Sequence, residues 1–245
     1  MKKSSLSFLI GGVLTLLACG LPANAQDRTE LETFQRAAGD RSILFRGMQA
    51  PRYTFLANGH PYWSSTEFER GDISFEGNFY RDVPINIDAF AQRALVQLGN
   101  SPYAVALQPA LTPAFTMGGR RFVGIGAGEE LPEGFYEVFG DGPEQVYKHV
   151  DKRLQSSVTN ANGDVIGYYD ENYRSDVTRH FAIGKIYYFR DAEGHFSRFS
   201  SKGALLRKFG SRKKEIRQAL RKTLPELTAT DFDAYCRAVL NIAAR

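Results

Sequence analysis

Between Ser42 and about Ser200, short runs rich in Phe, Tyr, Val and Ile alternate with Gly, Asn, Asp and Pro at intervals of about ten residues. This pattern is typical of antiparallel β-strands, because aromatic and β-branched side chains suit a pleated surface and turn residues reverse the chain. Helical periodicity is nearly absent here. We therefore predict thirteen strands, at residues 42–47, 52–56, 72–76, 79–88, 92–98, 102–107, 113–117, 120–126, 134–139, 144–154, 163–169, 181–190 and 195–200.

Glycine-containing turns predict how these strands connect. Gly118-Gly119 and Gly77-Asn78 each separate two apolar runs, and such pairs supply the positive φ values of tight hairpins. Asp141-Gly142, Asn162-Gly163 and Glu193-Gly194 mark three further reversals. The sheet should therefore be largely a meander. It must curl into a partial barrel or form a two-layer sandwich, since an open twisted sheet rarely exceeds about ten strands.

Helices are predicted on both sides of this β region. Residues 27–38 carry apolar side chains at helical spacing and predict a short N-terminal helix. From Gly203 onward the period returns to that of a helix, with one segment ended by Gly210, a second capped by Ser211, and a third opened by the capping-box variant Thr228-x-x-Asp231. The predicted fold class is α+β, with the C-terminal helices packed on the sheet.

The N-terminus has the features of an export signal. Lys2 and Lys3 precede an apolar run from Leu6 to Leu17, which is shorter than a membrane span. Ala23-Asn24-Ala25 is an A-x-A cleavage site, which we favour, while Leu16-Leu17-Ala18-Cys19 is an alternative lipoprotein site with lipid on Cys19. We predict a signal peptide at residues 1–25, a β-rich domain with its N-terminal helix at 26–201, and a basic helical segment at 202–245.

Export places the mature protein in the periplasm, at the cell surface or in the medium. Hydrophobic residues make up 43% of the chain and charged residues 24%, which is ordinary for a soluble globular protein and excludes collagen-like and globally disordered classes. Cleavage after Ala25 would leave Cys236 as the last cysteine, so no intramolecular disulfide is expected. Cys236 lies in an apolar helical stripe, where we expect a buried thiol.

Charge is unevenly distributed along the chain. Residues 202–222 hold nine cations and the single anion Glu215, a local charge of +8, whereas residues 26–201 sum to −5. One interpretation is a surface for an anionic envelope component, such as a lipid headgroup or an acidic glycan, or for an acidic protein. The other, which the sequence alone slightly favours, is a solvated helix face partly neutralised by the β region. The candidate surface residues are Lys208, Arg212, Lys213, Lys214, Arg217 and Arg221. Nucleic acid is not expected as a partner in this compartment.

Motifs of catalysis or metal binding are missing from the sequence. The histidines His60, His149, His180 and His195 are too scattered for a metal-ligand spacing, and we predict neither a metal site nor a cofactor. His149 and Asp151 share one face of a predicted strand and could form a general-base pair, although a merely solvated pair is the more common case. The segment 160–164 is read as a hairpin loop, since it lacks a well-placed closing Glu for a calcium loop.

Aromatic residues are concentrated between Tyr53 and Tyr80. In strands such residues are ordinary core filling, and we expect this for most of the set. Tyr62 and Trp63 follow Asn58-Gly59-His60-Pro61 in a predicted loop, where we expect exposure. They are therefore the candidate aromatic platform for a sugar or peptide ligand.

The stretch from Gly71 to Asp88, with Gly77-Asn78-Phe79-Tyr80-Arg81-Asp82-Val83 at its centre, resembles a pattern of secreted β-rich proteins of Bacteroidetes-type bacteria. Leu44-Phe45-Arg46-Gly47, Arg121-Phe122 and the basic helical tail are similar as well. The resemblance implies a cell-envelope protein of unassigned activity and carries over no catalytic residue. We predict a non-enzymatic binding or structural module; the alternative is a secreted hydrolase of glycan or peptide, using carboxylates and His149 or His180 in a cleft.

Overall fold

The computed structural model describes residues 43–97, 103–159, 165–168, 177–223 and 231–244. The predicted signal peptide, Cys19, the N-terminal helix at 27–38 and the hairpin loop at 160–164 lie outside these residues. All described residues belong to the unit that begins at Ala38.

The strands join in one open, mainly antiparallel sheet. Their bounds are β1 Met48–Gln49, β2 Glu69–Phe75, β3 Asn78–Asp88, β4 Arg93–Gln97, β5 Ala104–Leu107, β6 Ala114–Met117, β7 Arg120–Ile125, β8 Gly134–Phe139, β9 Gln145–Thr159, β10 Val165–Tyr168, β11 Val177–Arg190 and β12 Phe196–Phe199. The predicted fold class is thus confirmed for the sheet. Two predicted strands are wrong: 43–47 forms turns, and 52–56 is irregular. In the second segment Tyr53 and Phe55 direct their rings toward Phe90 and Phe181 instead of lying in a strand.

The strand order is β1-β5-β4-β3-β2-β6-β7-β8-β9-β11-β12, with β10 paired to β9. Hairpins connect β2 to β5 and β6 to β9 as a meander. The order breaks after β5, where the chain returns so that β6 pairs with β2 through Ile73 and Phe115. Such a return cannot be read from turn residues, because it depends on which sheet edge is free.

The hairpin between β6 and β7 shows why the turn signals worked. Met117 pairs with Arg120 across Gly118 and Gly119, both at positive φ. A Cβ on Gly118 would also lie 1.6 Å from the Glu69 carboxylate. Any other residue there would therefore have a strained backbone and would displace the Glu69 side chain.

The sheet curls so that β3 approaches β9, although β2, β6, β7 and β8 lie between them in the order. The Lys152 amide donates to the Ala89 carbonyl, with an N–O distance of 3.1 Å. The side-chain amide of Gln92 donates to the Val150 carbonyl at 2.9 Å. Inside the curl Phe115 stacks on Phe122 at a centroid distance of 5.0 Å.

Three helices follow the sheet: α1 Lys202–Lys208, α2 Lys213–Thr223 and α3 Phe232–Ala243. Their apolar residues form one core with Phe139, Val146, Tyr187, Phe189 and Phe199 of the sheet. Cys236 lies in this core with no exposed surface, and burial raises its pKa to about 12, so the expected buried thiol is confirmed. No helix within the described ranges has the length and apolar character needed to cross a bilayer.

Two helix starts differ from the sequence prediction. Asp231 is itself the N-cap of α3, because its side chain accepts hydrogen bonds from the amides of Asp233 and Ala234; Thr228 lies outside the described residues. The α2 helix begins at Lys213, since Gly210–Arg212 form a short 3-10 turn. Ser201 caps α1 by accepting from the Ala204 amide.

Candidate binding surface

The helices α1 and α2 each bury an apolar side against the sheet. Leu205, Leu206, Ile216 and Leu220 face the shared core and are almost fully buried. Since a helix repeats every 3.6 residues, the remaining positions must face outward. These positions hold cations, so the fold gathers the charge of this segment on its outer side.

The cations of α2 form a row. Lys213, Arg217 and Arg221 are spaced at i, i+4 and i+8 and therefore lie above one another on a single helix face. Lys214 borders the same row. At a rise of about 1.5 Å per residue, the row extends for about 12 Å.

Most of these cations have no acidic partner. We call the following seven residues the basic face; within the described residues none of them has a carboxylate within 4.0 Å: Arg207, Lys208, Lys213, Lys214, Arg217, Arg221 and Lys222. All are exposed except Lys213, which is half-buried. Five of the six predicted surface residues thus lie at outward positions of α1 and α2. No described carboxylate of the β region forms an ion pair with them.

Arg212 differs from the other predicted surface residues. Its guanidinium forms an ion pair with Glu144 and donates to the Ala243 carbonyl at 3.2 Å. It also lies over the Phe209 ring. Arg212 therefore joins the helices to the sheet, and we do not include it in the basic face.

The basic face holds cations at both favourable and unfavourable helix positions. Four of them lie in the last turns of α1 and α2, where the helix dipole favours cations. Lys213 and Lys214 occupy the first turn of α2, where the helix dipole disfavours cations by about 0.3–1 kcal/mol each. The i, i+4 pairs of like charge along the row add about 0.2–0.5 kcal/mol each. Helix stability therefore does not distinguish a binding surface from a solvated face. The lack of carboxylate partners within the described residues is what favours a binding surface.

The predicted aromatic platform is not formed. Trp63 is only 6% exposed and packs edge-on against Phe122, at a centroid distance of 5.4 Å. Its amide donates to the Ile87 carbonyl at 2.8 Å. The exposure predicted for Trp63 is wrong, because the loop lies under the curled sheet. Tyr62 is half-buried and stacks on His60 instead of facing outward beside Trp63.

A network of buried charges joins the sheet to α3, and no pattern of residues predicted it. The Lys148 amine contacts the carboxylates of Glu137 at 3.1 Å and Asp233 at 2.6 Å. Tyr187 donates to Asp233 at 2.7 Å, and Arg237 pairs with the second oxygen of Glu137. Glu137 and Lys148 are 2% and 6% exposed. Every charge in this network is paired, as burial requires.

Within the network, Asp233 stays ionised more readily than a free carboxyl. Burial acts to raise its pKa, but the hydrogen bonds from Lys148 and Tyr187 and the charge of Lys148 lower it more strongly, and the pKa lies below its usual value. Burial, together with the hydrogen bond to Asp233, raises the pKa of Tyr187. The hydrogen bond between Tyr187 and Asp233 contributes to both shifts.

A second buried amine fixes the loop that carries Trp63. Lys152 is 4% exposed and donates to the His60 carbonyl at 2.8 Å. Burial lowers its pKa, which the nearby Asp88 partly opposes. The Asp88 side chain accepts from the Tyr53 hydroxyl at 2.5 Å and from the amides of the next turn. This cluster is enclosed by its own hydrogen bonds.

The geometry does not assemble the general-base pair considered from the sequence. His149 is buried, and its Nδ1 donates to the Phe135 carbonyl at 3.1 Å, which fixes its tautomer. Burial lowers the pKa of His149. Asp151 accepts instead from Arg153 at 2.6 Å. His180 lies at the β11 edge, bridged to Asn58.

The surface of the described part includes two clefts whose linings bear on the hydrolase alternative. One, of about 370 Å³, lies beside β1 and β5 and includes Arg46, Glu76 and Arg93. The other, of about 550 Å³, lies beside Arg212 and Glu144. Neither cleft is lined by a histidine. Neither therefore pairs a carboxylate with a histidine, as the hydrolase alternative requires.

Comparison with known proteins gives no relative for this chain. No family model matches the sequence, and neither curated proteins nor solved structures show a match.

Proposed function

We propose that this protein is an exported cell-envelope binding module that docks on anionic lipid headgroups through its basic face. The observation that carries the proposal is the set of seven cations at outward positions of α1 and α2, without a carboxylate partner in the described residues. Export and the resemblance to envelope proteins of Bacteroidetes-type bacteria are part of the same proposal. They are supported by the N-terminal sequence and by the motif around Gly77.

The shape of the basic face favours an extended surface over a small ligand. The cations project from an outward-facing helical side, and none of them lines either of the two clefts described above. The apolar residues of α2, Ile216 and Leu220, are already used in the core, so the helix has no apolar side left to insert into a bilayer. Binding would then be electrostatic and reversible, at about 1 kcal/mol for each cation near the headgroups.

Vesicle co-sedimentation tests the proposal. The full mature chain should bind vesicles of phosphatidylcholine with phosphatidylglycerol and not vesicles of phosphatidylcholine alone. The triple variant K213E/K214E/R217E should bind at least about 100-fold more weakly, since three cations are replaced by anions. Binding of the wild type should also fall steeply between low and physiological salt.

A matched control separates the basic face from net charge. Arg46, Arg179 and Arg198 are exposed cations outside the helices, and R46E/R179E/R198E changes the net charge equally. This variant should keep most of the vesicle binding. Equal loss in both variants, or none in either, would overturn the proposal. Displacement by an acidic polysaccharide, with no binding to vesicles, would assign the face to a glycan instead.

A further inference from the structure

Strand β11 has two partners on its outer edge, and they leave a gap between them. Along its other edge β11 pairs with β9 over its whole length. On the outer edge, Asn58 forms a single parallel bridge at His180, and β12 pairs with Tyr187 through Arg190. The residues from Ala182 to Ile186 are paired by neither.

The hydrogen bonds at the first partner show which backbone groups face outward. The Asn58 amide donates to the Arg179 carbonyl at 2.7 Å, and the Phe181 amide donates to the Asn58 carbonyl at 3.1 Å. Backbone direction alternates along a strand, so the amide and carbonyl of Ile183 and Lys185 point to the same edge. No described residue hydrogen-bonds to them there, nor to the outward Phe181 carbonyl. We call these five groups the edge slot.

Two features of the described residues leave the edge slot uncovered. Gly59, at φ +85°, turns the chain away immediately after the Asn58 bridge, and Lys152 then holds the carbonyl of His60. On the other side β12 is only four residues long. The slot is therefore bounded at both ends, and from Phe181 to Tyr187 it measures about 20 Å.

Side chains beside the slot define what would fit it. Phe181, Ile183 and Lys185 share one face of the strand, and Phe181 contacts the rings of Phe55 and Phe90. Ile183 is 58% exposed, and Lys185 is exposed with no carboxylate within 4.0 Å among the described residues. The charge of Lys185 acts on the Asp233 carboxylate, but that carboxylate already accepts hydrogen bonds from Lys148 and Tyr187.

We propose that the edge slot binds an extended peptide segment of a partner protein by strand addition, with an apolar side chain opposite Ile183 and an acidic one opposite Lys185. Only an extended backbone presents donors and acceptors at the spacing of the free groups. Lys185 supplies the charge complementarity across the new strand pair. A second copy of this chain is disfavoured as the occupant, because its own β11 edge carries the same flanking segments. The surface is separate from the basic face.

Amide hydrogen exchange followed by NMR tests the free groups directly. In the free protein the Ile183 and Lys185 amides should exchange fast, while those of Gly184 and Ile186, which bond to β9, should be protected. Two capped octapeptides of alternating Thr and Val serve as probes, one with Val-Thr-Glu and one with Glu-Thr-Val at its centre, for parallel and antiparallel pairing. Binding of either should protect the Ile183 and Lys185 amides. Protection of both amides before any peptide is added would overturn the proposal.

Two variants check that the peptide occupies the slot. Ile183→Pro removes an outward amide without breaking a bond to β9, and binding should weaken at least about tenfold. Lys185→Glu should weaken binding of the Glu peptide about threefold and strengthen binding of the same peptide with Lys in its place. Arg198→Glu, an equal charge change on β12, should alter neither. No binding of either octapeptide at millimolar concentration, or binding that Ile183→Pro and the Lys185 charge exchange leave unchanged, would contradict strand addition.

Discussion

The junction of the sheet with α3 and the outer side of α1 and α2 both concentrate charge, but they treat it in opposite ways. At the junction Lys148 is buried and contacts two carboxylates, and Glu137 has a second cation in Arg237. On the basic face six cations are exposed and Lys213 is half-buried, and none of the seven has such a partner within the described residues. The difference teaches that pairing follows burial here: charges that left water found partners within the chain, and the others are available to a ligand.

The largest change in stability is expected from a substitution of Lys148. Lys148→Met leaves Glu137 and Asp233 with one partner fewer in a buried site, so we expect a loss of about 3–5 kcal/mol in the free energy of unfolding. Urea unfolding measures it. The matched change on the basic face, Lys214→Met, should stay within about 0.5 kcal/mol. Adding Glu137→Gln to Lys148→Met should recover part of the loss; a further full loss would contradict the network's role.

Tyr187→Phe tests a single bond of the same network. It removes the donor to the Asp233 carboxylate while keeping the ring in the core, and we expect a loss of about 1.5–2 kcal/mol, typical of a hydrogen bond to a charged group. Thermal unfolding followed by circular dichroism measures the effect. Tyr188→Phe provides a control on the same strand. An equal loss of stability in both variants would show that the hydrogen bond to Asp233 contributes no more than the loss of any hydroxyl group on this strand.

The pH dependence of stability sharpens the comparison further. Because the folded pKa of Asp233 lies below its unfolded value, its ionised form stabilises the protein fully above about pH 5. This contribution is lost as the pH falls through the folded pKa. The difference in unfolding free energy between the wild type and Asp233→Asn should therefore shrink as the pH falls from about 5 to about 2. A difference that stays constant over this range would contradict the shift in pKa.

The smallest effect is expected inside the basic segment itself. Arg212→Met removes a partly exposed ion pair and should reduce stability by about 0.5–1 kcal/mol. Lys213→Met removes an unpaired cation next to a helix N-terminus and should be neutral or slightly stabilising. The two variants, compared by urea unfolding at low salt, separate an anchoring cation from a free one. Similar losses would show that Lys213 is also held by the fold.

Much of the fold could be predicted from the sequence, because local signals specify local structure. Gly118-Gly119 predicted its hairpin correctly because both turn positions have positive φ, which favours glycine. The β2–β3 turn, predicted at Gly77-Asn78, lies one residue earlier, at Glu76-Gly77. The segment 52–56 was predicted wrongly, since aromatic side chains favour a strand and also favour a cluster of rings. The return that pairs β6 with β2 could not be predicted from the residues.

The candidate surface was predicted from charge alone, but its availability was not. Five of its members were identified because cations at helical spacing are visible in a sequence. The place of Arg212 was not, because Glu144 lies 68 residues away in the chain. The exposure of Trp63 was predicted wrongly for the same reason, because a loop residue becomes buried when the sheet curls over it.

By itself, the sequence determined the β-rich region, the three C-terminal helices and the excess of positive charge between 202 and 222, since each depends on neighbouring residues. Tertiary structure decided which charges are satisfied. Lys148 meets Glu137 through the register of two strands and meets Asp233 across 85 residues of chain. A Coulomb interaction depends on distance in space and on burial, and the order of residues fixes neither until the sheet and helices have packed.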